Sequence, residues 1–350
     1  MRARVVGDRG VGVRAALAAA AGAIGVVALL VGCAPADPDA AQTDAPSDGP
    51  PAQQISEQLL QATEPHELTG GTLLEGPTFH EDGSLFLVDV MAPAGEAKVL
   101  RVDVEERTVD QVFTDETSAF TSAQFHPSDG RLYLTDFLGG GVMSITADGE
   151  DPQVNFSGGV DGIAMLPDDI AFHPDGTMFV TDTRGMDGPG WETPGRVVRI
   201  GTDGHASTLA DDLPSPNGLV FDEADAGLWV AQYNANRIDY FALDETRTRV
   251  VSAYPAIHVD GGIGRIDSTA VDAEGNIYQM FHEKAEIVVF AKTGEQIGRI
   301  RVPGEGLESA TNIAIAPGTT DGYLVVSGPA GGFVHTFEAY GEGIRQSNGG

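Results

Sequence analysis

The chain has 350 residues and a formal charge of −32 at neutral pH, from 20 basic and 52 acidic side chains. That balance leaves no basic surface to neutralise phosphates, which excludes nucleic acid as a partner and disfavours anionic lipid. Cys33 is the only cysteine, so internal disulfides, thiolate metal sites and a catalytic thiol are excluded as well.

Residues 1–32 read as a lipoprotein-type signal peptide. Arg2, Arg4, Arg9 and Arg14 precede an apolar run from Ala15 to Val31, which ends in Leu30-Val31-Gly32-Cys33. This ending resembles the bacterial lipobox, where cleavage leaves a lipidated N-terminal cysteine. The run is short for a spanning helix, which favours lipidation at Cys33 over an uncleaved anchor. No Arg-Arg pair precedes the run, which favours the general secretory route. Removing residues 1–32 takes away four Arg and one Asp and leaves a charge of −35. The expected location is outside the cell, on the outer face of the membrane, with the acidic excess serving solubility.

Residues 33–65 are rich in Ala, Asp, Pro, Gln and Ser and show no apolar period. They are expected to form a disordered tether, with Ile55, Leu59 and Leu60 hinting at a short helical turn near its end. Residues 342–350 are expected to form a disordered tail.

Between residues 66 and 341 one unit recurs six times: an apolar anchor, a polar turn with Gly, then an alternating strand. It runs Phe79-His80-Glu81-Asp82-Gly83-Ser84-Leu85-Phe86-Leu87-Val88-Asp89, and returns at 125–136, 172–182, 221–232, 271–280 and 315–327. The turn glycines Gly83, Gly130, Gly176, Gly227, Gly275 and Gly322 are spaced by 47, 46, 51, 48 and 47 residues. Each is expected at a positive φ angle, which Gly adopts without steric penalty. A second strand pair follows each copy, as at 98–102, 195–200, 236–241 and 286–290. Four short strands per period with no helical pattern predict an all-β, six-bladed β-propeller. The segment 66–74 is expected to add a strand to the last blade and close the ring.

Register comparison turns the repeat into a site. Four residues before each anchor stand Glu75, Thr121, Asp168, Asn217, Asp267 and Thr311. Rotation about a propeller axis brings such equivalent positions to one mouth of the channel. Four of the six carry carboxylate or amide oxygens and two carry hydroxyls. Unpaired carboxylates cannot share a dry site without neutralisation. All donors are oxygens, which points to a hard cation, calcium ahead of other divalent ions. Polar residues before a strand are also common turn formers, and Asn217-Gly218 alone is a turn dipeptide; agreement across four blades is what favours the metal site. Asp89, Asp136 and Asp182 recur after the inner hairpins and read as structural turn residues. His80, His126 and His173 read as blade surface or turn packing, and His282, near the end of a fifth-blade strand, reads as a packing histidine ahead of one that reaches the pocket. The loop 184–194, with Trp191, reads equally as a lid or as a surface insertion.

These motifs resemble a known family. Leu74-Glu75-Gly76-Pro77, Asp168-Asp169, Ser215-Pro216-Asn217-Gly218-Leu219 and Asp267-Ser268 look like the senescence marker protein, gluconolactonase and luciferin-regenerating enzyme family. Thr181-Asp182-Thr183-Arg184-Gly185, Asn236-Arg237 and Phe290-Ala291-Lys292-Thr293-Gly294 place the resemblance closest to its drug-responsive lactonase branch. The resemblance implies a six-bladed propeller with an axial calcium, bound by Glu75, Asp168, Asn217 and Asp267 with Ser268 beside them, and hydrolysis of lactones or related esters. Asp169, Thr121 and Thr311 are expected in a supporting layer. Many members carry Asn-Asp where this chain has Asp168-Asp169, whereas the lactonase branch has the acidic pair. A second, structural calcium near Asp161 is left open. Asp267, Asn217 and Glu75 are the expected catalytic residues, with Asp267 as acid/base and either water or an Asp as nucleophile. A non-catalytic exported propeller binding a carbohydrate, peptide or protein is the competing reading, and a quinone-dependent redox propeller a weaker one. The expected partner is a small lactone or ester bound by a monomer, with membrane contact only through the lipid.

Overall fold

Strands begin wherever the sequence alternates β-branched and aromatic residues between polar turns. The computed structural model describes residues 51–344 except 187 and 190, so the apolar run, Cys33 and residues 345–350 lie outside the described residues. The described part is all-β apart from two short 3₁₀ turns, Tyr233–Ala235 and Gly262–Gly264. Four sheets each hold four antiparallel strands in sequence order, beginning with Leu74–Phe79, Phe120–Phe125, Pro167–Phe172 and Pro216–Phe221. The remaining long strands form a nine-stranded sheet. Its two four-strand stacks begin at Ile266–Val271 and Ser309–Ile315 and join through a single pair, Phe281 with Ala310.

Burial falls from the first strand of each sheet to the last. Pro167–Phe172 and Pro216–Phe221 are buried at every position, whereas Thr108–Thr114 has no buried residue. The first strands contact one another in a closed cycle, with Ser309–Ile315 returning to Leu74–Phe79. The core lies between neighbouring sheets, not within any one of them. Phe86, Val88 and Val99 pack against Ala123, Phe125 and Leu134 of the next sheet. The last interface joins Leu74, Leu85 and Leu87 to Ala314, Val325 and Val334. The turn histidines belong to this packing: the rings of His80, His126 and His173 lie 4.9, 4.8 and 5.6 Å from Phe125, Phe172 and Phe221. Asp89, Asp136 and Asp182 are structural as well. Asp182, for example, accepts from Leu166 N at 2.8 Å and Arg196 Nε at 2.7 Å.

Four expectations are corrected. The tether does not extend to residue 65, because Ala52–Ile55 and Glu57–Thr63 are strands; of the apolar residues read as a helical turn, Ile55 ends the first of these strands and is exposed, whereas Leu59 and Leu60 of the second pack with Leu74 and Val334. The strand that completes the last sheet is Glu57–Thr63, paired with Gly331–Glu338, and 66–73 is turn and irregular chain. Gly227 and Gly322 are not at positive φ; Asp225 and Gly318, at 54° and 73°, make those turns. Both glycines instead lie under a cross-strand aromatic, where a Cβ would sit 2.4 Å from the Tyr240 hydroxyl or the Phe337 ring. Finally, Glu342 and Gly343 are not free tail, since their carbonyls accept from Ala273 N and Gly318 N at 2.9 Å.

Candidate active site

The ring positions lie inside the first strands, not just before them. Glu75, Thr121, Asp168, Asn217 and Asp267 are second in their strands and Thr311 is third. In every one of these strands the pairing register shifts at this point, between Glu75 and Thr78, Phe120 and Ser122, Pro167 and Ile170, Pro216 and Leu219, Ile266 and Thr269, and Ala310 and Asn312. Such a bulge frees a residue from the ladder and re-aims its side chain. Close approach of the strands depends on glycine. A Cβ on Gly76 (φ 55°) would lie 2.4 Å from Ala123 N, and one on Gly218 would lie 2.5 Å from Thr269 N.

Hydroxyls tie neighbouring strands together. Thr121 Oγ1 donates to Pro167 O or Asp168 O at 3.2 and 3.3 Å, Thr181 Oγ1 to Asn217 O at 2.8 Å, and Thr311 Oγ1 to Leu74 O at 2.7 Å. Thr121 and Thr311 therefore hold the backbone of the site. Ser268 is also engaged: its Oγ accepts from Asn312 Nδ2 at 3.1 Å and donates to Asp169 Oδ1 at 3.4 Å.

Glu75, Asp168, Asp169, Asn217 and Asp267 are all buried, with at most 8% of their surface exposed. Burial, then the charges of Asp267, Asp168 and Asp169, push the Glu75 carboxyl well above its usual range. Burial and Asp267 push Asp168 up to about 8. Burial, Asp168 and Asp267 raise Asp169 likewise. The acids thus interact as one group, and their charged forms lack compensation. Asn217 Nδ2 donates to Asp168 Oδ2 at 2.9 Å. Glu75 Oε2, Asn217 Oδ1, Asp169 Oδ2 and Asp267 Oδ2 are buried and have no hydrogen-bond partner.

These orphaned oxygens are the test of fit for a cation. Buried polar atoms are normally paired, and a hard divalent ion bound by carboxylates and one amide would satisfy them together. Among the described residues no three His, Cys, Asp or Glu side chains form a closed metal-ligand cluster. The donor chemistry fits; the acids share one electrostatic environment without having collapsed onto a common point.

Sequence reasoning undervalued His282. Its Nδ1 lies 3.5 Å from Asp267 Oδ2, an ion-pair separation longer than a strong hydrogen bond. Asp267 raises the His282 pKa against the opposing effect of burial. The His282 ring packs edge-on against Tyr233 at 5.8 Å, and the Arg265 guanidinium lies 4.3 Å from the Tyr233 ring centre. A signal was available. Asp182, Gln232 and Phe281 are equivalent, each paired to the start of its inner strand. Thr183, Tyr233 and His282 follow them, and all three act on Asp168 or Asp267 or lie near one of them. Trp191, in the loop 184–194, has 85% of its surface open to solvent.

Sheets in cyclic contact around a ring of buried oxygen donors define a propeller-like all-β protein with an acidic central site. Residues 73–328 match the SMP-30/Gluconolactonase/LRE-like region. The chain belongs to that family. It is 28% identical to lactonase drp35 of Staphylococcus saprophyticus over 286 residues, 78% of this chain and 85% of that protein. It is 30% identical to lactonase drp35 of Staphylococcus aureus (strain bovine RF122) over 264 residues, 71% and 76% of the two chains. A gluconolactonase from Xanthomonas campestris superposes with a TM-score of 0.63 at 21% identity, covering 83% of this chain and 99% of that one. Regucalcin from Agrobacterium tumefaciens, a calcium-binding protein, gives 0.64 at 17%, with 84% and 98% covered. Identities this low for the solved structures speak to fold alone.

Proposed function

We propose that this chain is a calcium-dependent hydrolase of lactones or related esters, and that its sheets are the six blades of one propeller. The observation that carries the chemistry is the set of buried oxygens on Glu75, Asn217 and Asp267 that accept no hydrogen bond, with Asp267 Oδ2 approached only by His282 at 3.5 Å. The lactonase names of its relatives supply the reaction class, and the cyclic contact of six inner strands supports the blade count.

Glu75, Asp168, Asn217 and Asp267 would hold the ion, with Asn217 limiting the negative charge of the set. When bound, calcium supplies Lewis-acid stabilisation of the developing oxyanion. Asp267 takes the proton of the attacking water at its carboxylate and returns it to the leaving alkoxide. His282 Nδ1, 3.5 Å from Asp267 Oδ2, orients that carboxylate. Thr121, Thr181 and Thr311 fix the spacing of the strands that present these groups.

Turnover of simple lactones should require calcium and vanish with chelator. Asn217→Ala and Asp267→Ala should each lower kcat/KM by at least about 100-fold, the usual size of a lost acid/base or oxyanion-stabilising group. Undiminished turnover in Asp267→Ala would remove the role assigned to it. For the N-terminus we hold to export and lipid anchoring through Cys33. The wild-type protein should partition into detergent and Cys33→Ser should not; equal partitioning refutes the anchor.

A further inference from the structure

We propose that the cleft beside the ring is a substituent pocket that selects lactones carrying an apolar, uncharged chain over those carrying an anionic one. The proposal rests on the lactonase reading and names the substrate class within it. The cleft encloses about 730 Å³, the size of a small-molecule site. It opens where the ring strands begin. His282, which faces Asp267, forms part of its wall; Leu73 stands two residues before Glu75 and Ser309 two before Thr311. His282 is the link between the two: it approaches Asp267 on one side and lines the cleft on the other, so a chain attached to a ring held at Asp267 would enter past His282.

The wall has two characters. Leu73, Met91 and Leu307 line it with partly buried apolar surface. Met91 lies over Gly71, where a Cβ would be 3.4 Å from the Met91 methyl, and an unbranched thioether adapts to ligands of different width. Glu283 and Glu308 are exposed on the rim. Lys284 is the only lysine or arginine in the lining, and its ammonium is engaged elsewhere: it donates to Asp260 O at 3.0 Å and lies 4.8 Å from the Phe281 ring centre. The cleft thus offers apolar contact and an acidic rim, and its two cationic side chains already face carboxylates, Lys284 Nζ at 3.9 Å from Glu286 Oε1 and His282 Nδ1 at 3.5 Å from Asp267 Oδ2.

Two series test this. In the first, kcat/KM is measured for γ-lactones whose 5-alkyl chain grows from none to eight carbons, and for the same chains ending in carboxylate. Each methylene that enters the cleft should raise kcat/KM by roughly two- to fourfold, the upper value being full burial of a CH₂. The terminal carboxylate should cancel most of that gain. Leu307→Trp and Met91→Trp fill the cleft and should flatten the chain-length dependence. Glu308→Lys, at an exposed position, should narrow the discrimination against carboxylate chains, and it keeps the test decisive where a Trp variant does not fold. The second series measures binding of 5-alkyl-2-pyrrolidinones, non-hydrolysable lactams of the same shape, by calorimetry. A Kd independent of chain length, or one unaltered by both Trp variants, overturns the pocket even where lactones are hydrolysed. Chain-dependent lactam binding without turnover of any lactone leaves the pocket standing and overturns the lactonase reading.

Discussion

His335 is a residue whose burial has a measurable price. It is 1% exposed in the last sheet, its Nδ1 shares a hydrogen bond of 3.1 Å with Ser56 Oγ, and its Nε2 has no partner. Burial pushes its pKa down from 6.5 to about 4. A histidine depressed in the folded state is neutral there while the unfolded chain takes up a proton. Stability from this group is therefore present above pH 6.5 and is lost as pH falls toward 4. His335→Gln should have a shallower loss, smaller than wild type by roughly 2 kcal/mol across that window in urea unfolding, a value reduced from the full shift for solvent screening. Parallel curves would show that the histidine titrates as it does in the unfolded chain. At this scale the acidic ring was legible in the sequence, because six copies of one unit can be compared register by register. His335 and His282 were not, since each acts through a partner from another strand, Ser56 and Asp267, that no spacing rule connects to it.

At the scale of the strand, the ring depends on a repeated irregularity. The bulge in each first strand is invisible to a period-two pattern, because strands buried on both faces, such as Pro167–Phe172 and Pro216–Phe221, show no alternation for a bulge to interrupt. The sequence therefore placed Glu75 and its counterparts before the strands, and the structure places them inside. Glycine has the matching role. Gly218, beside Asn217, lies so close to the next strand that a Cβ would be 2.5 Å from Thr269 N and 2.7 Å from Ser268 C. Both atoms are backbone, so the neighbouring strand has to move as a whole. Gly218→Ala should cost about 1–3 kcal/mol, the usual cost of overpacking, and should weaken calcium binding because Asp267 and Ser268 move with that strand. Thermal unfolding with and without calcium checks both effects. Unchanged calcium-dependent stabilisation would mean that the ligand spacing tolerates the shift. Gly227 and Gly322 show why a shared register does not guarantee a shared reason: both recur with the turn glycines, yet they make room for Tyr240 and Phe337.

For the molecule as a whole, the question is what closes the ring. The first sheet is continuous in sequence with its own four strands, but the last sheet takes only three from its own stretch of chain. The fourth is Glu57–Thr63, from before the first sheet, paired antiparallel with Gly331–Glu338. Leu60 from that strand is buried in the cluster that holds Leu74 and Val334, where the first and last sheets meet. Immediately upstream, Ala52–Ile55 adds a parallel strand to Gln296–Arg301 of the preceding stack, and Ser56 N donates to Arg301 O at 3.0 Å between the two. This segment escaped the sequence reading because it carries neither anchor nor turn, so it resembles no copy of the repeat and its polar composition reads as tether. Its position makes it a latch across two stacks, and removing it would leave the Gly331–Glu338 edge unpaired, an invitation to edge-to-edge association. Deletion of residues 51–63 should lower Tm by roughly 10 °C or more, the loss expected from several kcal/mol in a domain of this size, with oligomers appearing in size-exclusion chromatography. Deletion of residues 34–50, which keeps both strands, is the comparison. Equal Tm for the two deletions would show that the ring is held by the Leu74, Val325 and Val334 interface alone, and that the N-terminal strands only cover its edge.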